Sequence, residues 1–303
     1  MATYTKDQCP VCECKSNSTI GKIQDKEPPV PVPEGSGIVK CENCKLIYVN
    51  PMPHWDSGDY AKLYDASYFS YFKSDGQKKW HDVRKNAIPQ RRFGRIEPYI
   101  KHGKKKMLEI GAGENAFMCR YLLQKGWDAT AQEPARAFAE ALGKIDGLKV
   151  ETKGIKEMDG TGEYSFIFAD SVLEHVPDPV EYYIKIASLL APGGVLYTVS
   201  PNEYSMYNYL HNIGAKRKGA TPHYIAPYTE PYHLTGFTKK SLKILGQKSG
   251  LRLVGYKKIE DYMAFHALNS ERGALTKYPL ALLYTMSQWV GLGTNGEALF
   301  VKG

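Results

Sequence analysis

Short apolar runs alternate with segments of helical periodicity from about residue 106 onwards. The runs predict strands near residues 106–111, 128–132, 148–152, 166–170 and 194–200. The segments between them predict helices near residues 115–125, 134–144 and 178–190. Alternation of this kind indicates an α/β fold, in which helices cover both faces of a parallel sheet and ligands bind beyond the carboxyl ends of the strands.

The helix predicted near residues 178–190 has the clearest boundary signals. Asp178 suits its N-cap, Pro179 suits its first turn, and a Pro-Gly-Gly sequence at 192–194 ends it. Its apolar face comprises Val180, Ile184, Ala187 and Leu190.

The pattern continues to the end of the chain. Thr238 suits the cap of a helix over residues 238–249, and strands are expected at 251–258 and 297–302. The apolar segment between these strands, residues 278–290, is expected to form a helix packed on the edge of the sheet. A dimer interface at this segment stays an open alternative.

A glycine turn follows the first strand of this pattern. The sequence MLEIGAG places Glu109 near the end of the strand, and Gly111 and Gly113 in the turn. A strand, a glycine turn and a helix in this order let a ligand approach backbone N–H groups closely. Glu133 ends the next strand, where an acidic side chain can accept hydrogen bonds from both hydroxyls of a ribose.

Two further motifs make the interpretation of the glycine turn more specific. Residues 164–179 read YSFIFADSVLEHVPDP, and residues 191–194 read APGG. Together with the turn they resemble the class I S-adenosylmethionine (SAM)-dependent methyltransferase superfamily, in the branch whose fourth strand leads into a VLEHVPDP-type helix start. A dinucleotide site is the alternative for the turn alone, but a nicotinamide fingerprint needs no acid at Glu109. Asn115 replaces the third glycine of the methyltransferase motif, and asparagine tolerates the unusual backbone angles of such a turn.

The resemblance implies a Rossmann-like, seven-stranded and mostly parallel sheet with one antiparallel strand. It also implies SAM as the methyl donor and a set of residues that contact SAM. That set is Glu109, Gly111, Ala112, Gly113, Asn115, Phe117, Glu133, Pro134, Asp170, Ser171 and Tyr68. In similar enzymes a Tyr-Phe pair, here Tyr68-Phe69, and a helix arginine, for which Arg92 is the candidate, often lie near the cofactor.

Five of the six cysteines lie in the first 50 residues. Cys9 and Cys12 form one C-x-x-C pair, Cys41 and Cys44 form another, and two such knuckles complete a tetrahedral zinc site. Disulfides or free thiols are the alternatives, and Cys14 is a spare thiol that could replace Cys12. Four cysteine ligands leave no open coordination position, which favours a structural zinc. The resemblance agrees, because a branch of these methyltransferases carries an N-terminal four-cysteine zinc module.

These features divide the chain into three parts. A zinc-binding module spans residues 1–55, an aromatic-rich linker and helical lid span 56–105, and a SAM-binding methyltransferase domain spans 106–303. Within the last part, residues 201–236 form an insertion after the fifth strand, where loops commonly carry substrate specificity. Many of the 22 tyrosines lie in the linker and in this insertion, where they could wall a pocket.

Four residues after the fourth and fifth strands are candidates for chemistry on the methyl acceptor. A hydroxyl or an acidic carbon as acceptor benefits from a general base, and histidine titrates near neutrality. His233 is favoured because the resembling family has a histidine at this place, shortly before the next helix. His175 could equally order the cofactor loop, and Tyr232 and His223 complete the set.

Composition limits the classes of molecule that the protein is expected to bind. Lysine and arginine exceed the acids by 40 − 32 = 8, a moderate excess that suits a phosphate-bearing substrate without requiring nucleic acid. The sequence contains no apolar run of membrane-spanning length and no signal-like apolar start. We therefore expect a cytoplasmic protein without a membrane partner, acting on a small molecule.

The leading hypothesis is SAM-dependent methyl transfer to a small polar acceptor, with a sugar or a secondary-metabolite intermediate as first choice, by O- or C-methylation. Similar zinc-module methyltransferases act on such molecules. A zinc-module methyltransferase of ribosomal RNA bases is the alternative, although the basic residues of this chain are dispersed. A non-catalytic SAM-fold binding protein is the third reading, and the intact Glu109, glycine pair and Glu133 argue against it.

Overall fold

The computed structural model describes residues 8–22, 30, 33–53, 55, 57–64, 87–101, 105–217, 232–260, 263–268 and 273–303. In chain order, the strands of this part are β1 (Asn17–Lys22), β2 (Gly37–Cys41), β3 (Ile47–Asn50), β4 (Lys106–Ile110), β5 (Asp128–Gln132), β6 (Lys149–Glu151), β7 (Tyr164–Asp170), β8 (Leu190–Pro201), β9 (Thr235–Gly236), β10 (Leu251–Ile259) and β11 (Asn295–Lys302). The helices are α1 (Ser57–Leu63), α2 (Phe117–Leu123), α3 (Arg136–Leu142), α4 (Pro179–Leu189), α5 (Met206–Arg217), α6 (Lys239–Ser249), α7 (Met263–Leu268) and α8 (Ala274–Ser287). Residues 87–96 are also helical.

Seven strands form the larger sheet, in the order β10-β11-β8-β7-β4-β5-β6. β11 runs antiparallel to both of its neighbours, and the other described pairings in this sheet are parallel. This confirms the seven-stranded, mostly parallel sheet with one antiparallel strand. The strands begin and end within a few residues of the sequence-based expectation; β8 starts four residues earlier because Leu190 already pairs with Tyr164.

Side chains that alternate along the central strands build two cores, one on each face of this sheet. Leu108, Ile167 and Leu196 belong to one cluster of buried residues, while their neighbours Phe166 and Val195 belong to the other. A strand buried on both faces is expected when helices cover both sides of a parallel sheet. The expectation of helices on both faces is therefore confirmed.

Caps fix the starts of the two helices whose boundaries the sequence marks best. The Asp178 side chain accepts a hydrogen bond from the backbone N–H of Glu181 at the start of α4. Thr238 and Ser241 form a reciprocal capping box at the start of α6. Both caps were predicted from the sequence.

The smaller sheet joins the N-terminal module to the rest of the chain. Its order is β1-β2-β3-β9, with all pairs antiparallel. β9 comes from the far end of the insertion, so it brings this insertion against β3. The buried residues of the module, including Ile47 and Val49, lie in the same cluster as residues of the larger sheet. The module and the methyltransferase sheet therefore share one core.

The expected position of the last apolar segment is wrong. α8 packs against α5 and α7, where Ala281, Tyr284 and Ala267 are buried in a small cluster, rather than lying along the edge of the larger sheet. The sequence gives no sign of this arrangement because the partner helices come from other parts of the chain. No helix among the described residues is long and apolar enough to cross a membrane.

Candidate active site

Two positive backbone angles shape the glycine turn after β4. Gly111 has a φ of +60° and Gly113 a φ of +58°, in the left-handed region that glycine adopts without strain. A Cβ atom at Gly111 would also lie 2.6 Å from Cγ2 of Val172. The turn therefore packs directly on the segment that follows β7, and this contact brings the two sequence motifs together.

The end of β5 holds the backbone N–H groups of the turn. Gly111 N–H donates to Oε1 of Gln132 at 3.1 Å, and Gly113 N–H donates to Oε2 of Glu133 at 2.8 Å. The other oxygen of Glu133 accepts from the N–H of Ala135 at 2.9 Å. Burial raises the pKa of Glu133, while these two backbone donors act in the opposite direction. A carboxylate offers about four acceptor positions, so Glu133 can hold the turn and still accept from hydroxyl groups of a ligand.

Gln132 is a site residue that sequence reasoning missed. Its Oε1 holds the N–H of Gly111, and its Nε2 donates to the backbone oxygen of Lys153 at 2.9 Å. The side chain thus ties the glycine turn to the loop after β6. A polar residue at the end of an otherwise buried strand was the available signal.

Glu109, inside β4, supplies the cap of α2. The helix follows Ala116, which has a φ of 42° and no side-chain oxygen with which to cap it. Oε2 of Glu109 accepts a hydrogen bond from the N–H of Cys119 at 2.8 Å and satisfies one of the free N–H groups of the first turn. Burial raises the pKa of Glu109 to about 7. The acid of the motif therefore fixes the helix that follows the glycine turn.

The unusual backbone angle expected at Asn115 lies one residue later, at Ala116. The backbone oxygen of Asn115 instead accepts from Nε of Arg120 at 2.7 Å. After Gly113, the chain returns to the left-handed region only at Ala116, the residue that immediately precedes α2. Phe117 is the first residue of that helix and is partly buried, whereas Pro134 after β5 is exposed.

Asp170, at the end of β7, anchors a buried ionic network. Its Oδ2 accepts from Nη1 of Arg92 at 2.7 Å, and Nε of Arg92 donates to Oε1 of Glu297 at 2.8 Å. The second oxygen of Glu297 accepts from the hydroxyl of Tyr197 at 2.6 Å and also contacts Arg95. Arg92 thus ties the helix over residues 87–96 to β7 and β11. Glu297 and Tyr197 were not predicted, because their proximity depends on the order of the strands.

Ser171 turns the chain out of β7. It has a φ of 58°, its N–H donates to the backbone oxygen of Val199 at 2.9 Å, and its hydroxyl donates to Oδ1 of Asp170 at 3.2 Å. This turn directs Val172 onto Gly111. Ser171 therefore precedes the residue that packs on the glycine turn, and its contact with SAM stays a prediction.

The short helical turn Leu173–His175 brings Glu174 and His175 against His233. The two imidazole rings are 4.8 Å apart, and Nε2 of His233 lies 3.8 Å from Oε1 of Glu174. Nδ1 of His175 is 3.3 Å from the backbone oxygen of Tyr232. Burial lowers the pKa of His175 to about 4 and raises the pKa of Glu174 well above its usual range. His175 is therefore neutral near pH 7, and a neutral imidazole can donate from Nδ1 to this oxygen.

The backbone holds His233 at this place from two sides. Leu234 N–H donates to the backbone oxygen of Glu174 at 2.8 Å, and Val49 N–H donates to the backbone oxygen of Leu234 at 3.1 Å. The His233 side chain is 14% exposed, whereas that of Glu174 is 1% exposed. The part of the insertion just before β9 thus presents a partly accessible imidazole beside a buried carboxyl group.

Tyrosines of the linker line the other side of the histidine pair. The hydroxyl of Tyr60 donates to the backbone oxygen of His175 at 3.1 Å. The ring of Tyr64 lies edge-on to His175 and to Tyr232, with centroid distances of 6.0 and 6.4 Å. The linker therefore contributes aromatic walls here. Tyr68 and His223 lie outside the described residues.

Glu203 is a buried acid beside β9 that sequence reasoning missed. Its Oε2 accepts from Nδ2 of Asn208 at 3.2 Å, and burial raises its pKa to about 7. A Cβ atom at Gly236 would lie 2.3 Å from Cγ of Glu203, so this acid packs directly against β9.

The four cysteines of the two C-x-x-C pairs meet in the module. Their Sγ atoms all lie within 4.8 Å of one another, with Cys9 and Cys44 at 3.5 Å and Cys12 and Cys41 at 3.4 Å. Cys14 points elsewhere, toward the backbone oxygen of Ser16 at 3.6 Å. The predicted ligand set is therefore brought together and the spare thiol is left out of it.

A family model described as "Methyltransferase domain" matches residues 79–255, which is more than half of the chain. The chain belongs to this methyltransferase family. The match therefore shows a methyltransferase domain over these residues. The function class implied by the glycine turn and the VLEHVPDP motif is therefore confirmed.

Curated relatives of this methyltransferase share part of its sequence. A protein named ubiquinone biosynthesis O-methyltransferase from Neisseria meningitidis serogroup C is 28% identical over 171 residues, covering 53% of this chain and 68% of the relative. One of the same name from Bordetella avium is 29% identical over 100 residues, covering 31% of this chain and 41% of the relative. The match thus spans less than half of the length of the second relative.

A solved structure resembles most of the methyltransferase. The 1,6-didemethyltoxoflavin-N1-methyltransferase of Burkholderia thailandensis, with bound 1,6-didemethyltoxoflavin and S-adenosylhomocysteine, aligns with a TM-score of 0.52. The alignment covers 91% of this chain and 99% of that one at 16% identity. This likeness shows the fold and does not extend to the substrate.

Proposed function

We propose that the methyltransferase transfers the methyl group of SAM to an oxygen atom of a small polar acceptor, a sugar or a secondary-metabolite intermediate. The observation that carries the proposal is His233, a partly accessible imidazole beside the segment that packs on the glycine turn. A hydroxyl acceptor must lose its proton, and a histidine can take it. The name of the curated relatives supports oxygen over carbon as the acceptor atom.

The glycine turn and the end of β5 are proposed as the SAM site. Glu133 would accept from the ribose hydroxyls while it holds the N–H of Gly113. Gly111, Ala112 and Gly113 would line the backbone side of the cofactor. The further members of the proposed site are Glu109, Asn115, Phe117, Pro134, Asp170, Ser171 and Tyr68. Bound SAM supplies a methyl group on a positively charged sulfur, already activated for in-line displacement.

His233 is proposed as the base and His175 as its neighbour in the acceptor site. The low pKa of His175 keeps that ring neutral, and its Nδ1 faces the backbone oxygen of Tyr232. His175 is therefore better suited to order the loop than to exchange protons. Tyr232, Tyr60 and Tyr64 would exclude water around the acceptor. His223 remains a proposed member of this site.

A structural zinc ion is proposed in the cysteine cluster. Four thiolates at a Zn–S distance of about 2.3 Å in a tetrahedron lie roughly 3.8 Å apart. Two Sγ–Sγ distances of 3.4 and 3.5 Å and the outer limit of 4.8 Å for the set bracket this value. Four protein ligands leave no position for a substrate, so the ion would stabilise the module and take no part in methyl transfer.

The test is a methyl-transfer assay with isotopically labelled SAM and a panel of hydroxylated sugars and phenolic metabolites. The proposal expects label in the product at oxygen, seen as an O-methyl signal by NMR. Label at carbon would contradict the proposed acceptor atom. Transfer to structured RNA, with binding that weakens steeply with salt, would instead favour the alternative RNA substrate.

A further inference from the structure

One helix carries most of its apolar side chains outward. On α8 and the short turn after it, Leu275 is 95% exposed, Leu282 60% and Trp289 75%. The other exposed apolar side chains of this segment are Tyr278, Leu283, Met286 and Val290. We name these seven residues the outer face of α8. An exposed apolar surface of this kind marks an interaction site in a folded protein.

The packing of α8 leaves its outer face exposed to solvent. The opposite side of α8 buries Ala281, Tyr284 and Ser287, and the first two of these pack in the cluster formed with α5 and α7. At 100° per residue the outer face spans roughly 140° of the helix, wider than a coiled-coil seam. α8 has 14 residues, which gives a length of about 21 Å. α8 is therefore anchored through its buried side, and a broad strip of apolar side chains faces solvent.

The adjoining helix extends the exposed apolar surface. α5 contacts α8 through Met206 and Tyr207. Farther along α5, Tyr209 is 62% exposed, and Leu210 and Ile213 are also exposed. Tyrosine and tryptophan combine an apolar ring with a polar tip, which suits the boundary between an apolar phase and water. The exposed aromatic residues Tyr209, Tyr278 and Trp289 fit that boundary.

Charge distinguishes between the possible partners. Neither α5, α7 nor residues 273–294 contain an aspartate or a glutamate, although the whole chain has 32 acidic residues. The same segments contain Lys216 and Arg217 at the end of α5, and Lys277 on α8. A second copy of the chain would bring like charges together, whereas an anionic lipid surface attracts them.

We propose that the outer face of α8 docks the methyltransferase on an anionic membrane surface. α8 lies in the plane of the headgroups, its exposed leucines and Met286 enter the acyl boundary, and Lys216 and Arg217 at the end of α5 contact lipid phosphates. The inference is independent of the proposed acceptor. It differs from a membrane span, for which no described helix is suited.

The test is co-sedimentation of the full chain with vesicles of phosphatidylcholine alone or with 30% phosphatidylglycerol. Strong binding is expected only to the anionic vesicles. The double change Leu282→Ser and Trp289→Ser should lower the partition coefficient by at least about tenfold, because two exposed apolar side chains no longer enter the bilayer. Lys216→Gln with Arg217→Gln should lower it by roughly fivefold per charge. Ile184→Ser is the matched control, since Ile184 is 48% exposed on α4, and it should leave binding unchanged.

Three results would overturn the proposal. Equal binding to both vesicle types would remove the electrostatic argument, and absence of binding would remove the site. A dimer in light scattering that dissociates in the Leu282→Ser, Trp289→Ser variant would show that a second copy covers the outer face of α8. Unchanged melting temperatures of the variants would establish that loss of binding is not loss of folding.

Discussion

At the scale of single residues, Glu133 decides whether the SAM site is correctly placed. Glu133→Gln removes the negative charge and one acceptor oxygen while keeping the size of the side chain. Charge-assisted hydrogen bonds contribute roughly 1.5–3 kcal/mol each. We expect SAM affinity, measured by calorimetry, to fall by about tenfold or more.

Glu151→Gln is the matched control for that change. Glu151 ends the neighbouring strand β6, and its Oε1 accepts from the N–H of Lys153 at 2.9 Å, much as Glu133 accepts from Ala135. Only Glu133 also holds the glycine turn. If both variants bind SAM as the wild type does, Glu133 does not contact the ribose.

The two glycines of the turn separate backbone strain from steric contact. Gly111→Ala and Gly113→Ala both place alanine in the left-handed region, which costs about 1–2 kcal/mol. Only Gly111→Ala also places a Cβ atom 2.6 Å from Val172, since no atom outside the immediate chain neighbours lies within 4 Å of such a Cβ at Gly113. We expect Gly111→Ala to lower the melting temperature more. A Gly111→Ala, Val172→Ala double variant should recover the difference; equal melting of both single variants would contradict the contact.

His233 is the residue on which the proposed chemistry depends. If it takes the acceptor proton, His233→Ala should lower turnover by about 10²-fold or more, with SAM affinity nearly unchanged. Single-turnover rates and SAM titrations measure the two effects separately. His211→Ala, on α5, is the control and should retain activity. His175→Ala should weaken SAM binding if that residue orders the cofactor loop. Near wild-type turnover in His233→Ala would rule out the base.

The sequence identifies candidate site residues where a motif has a local cause. Gly111 can be identified from the sequence because its turn needs a positive φ. Cys9, Cys12, Cys41 and Cys44 can be identified from the spacing of two C-x-x-C pairs. Buried partners without a motif could not be found in this way. The Arg92 bridge from Asp170 to Glu297 joins residues that are 78 and 205 positions distant in the chain. Such pairs depend on strand order.

At the scale of elements, the strand–turn–helix unit from β4 to α2 should respond to pH through Glu109. The pKa of this buried acid rises from 4.5 to about 7 on folding. A raised acid pKa means that stability contributed by the protonated form is lost as pH increases from about 4.5 to 7. A shift of this size corresponds to about 3 kcal/mol.

Glu109→Gln tests that dependence, because glutamine can still accept from the N–H of Cys119 but does not ionise. Denaturant unfolding at pH 5, 6, 7 and 8 should show the variant gaining stability relative to the wild type as pH increases. Glu157→Gln, in the short helical turn Ile155–Glu157 before β7, serves as the control and should leave the pH profile unchanged. A constant difference between wild type and Glu109→Gln across this range would show that Glu109 keeps an ordinary pKa.

Elements whose place follows from their own sequence were predicted, and elements whose place depends on a distant partner were not. β4 to β8, β10 and β11 carry their apolar pattern, and α4 and α6 carry their caps. β9 has two residues and no pattern of its own; it exists because β3 offers a free edge. α8 was expected on the sheet but packs on α5 and α7.

At the scale of the whole molecule, hydrogen bonds connect the cysteine module directly to the proposed acceptor site. Leu234, next to His233, is held by Val49 of β3 and by Glu174. The hydroxyl of Thr238 donates to the backbone oxygen of Cys44 at 2.7 Å. These contacts connect Cys44, a proposed zinc ligand, to β9 and to the histidine pair within a few residues, so we expect the module to influence catalysis.

Cys41→Ser tests this coupling. Elemental analysis of protein purified without added zinc should give about one equivalent for wild type and for Cys14→Ser, and much less for Cys41→Ser, since loss of one thiolate from a four-cysteine site weakens metal binding. The module then loosens, and β9 loses the support of β3. We expect turnover to fall more than SAM affinity, because His233 lies beside β9 whereas Glu133 follows β5 of the larger sheet. A Cys41→Ser variant that lacks zinc but keeps full turnover would show that the module and the histidine pair are independent. Loss of zinc in Cys14→Ser with retention in Cys12→Ser would show a different ligand set.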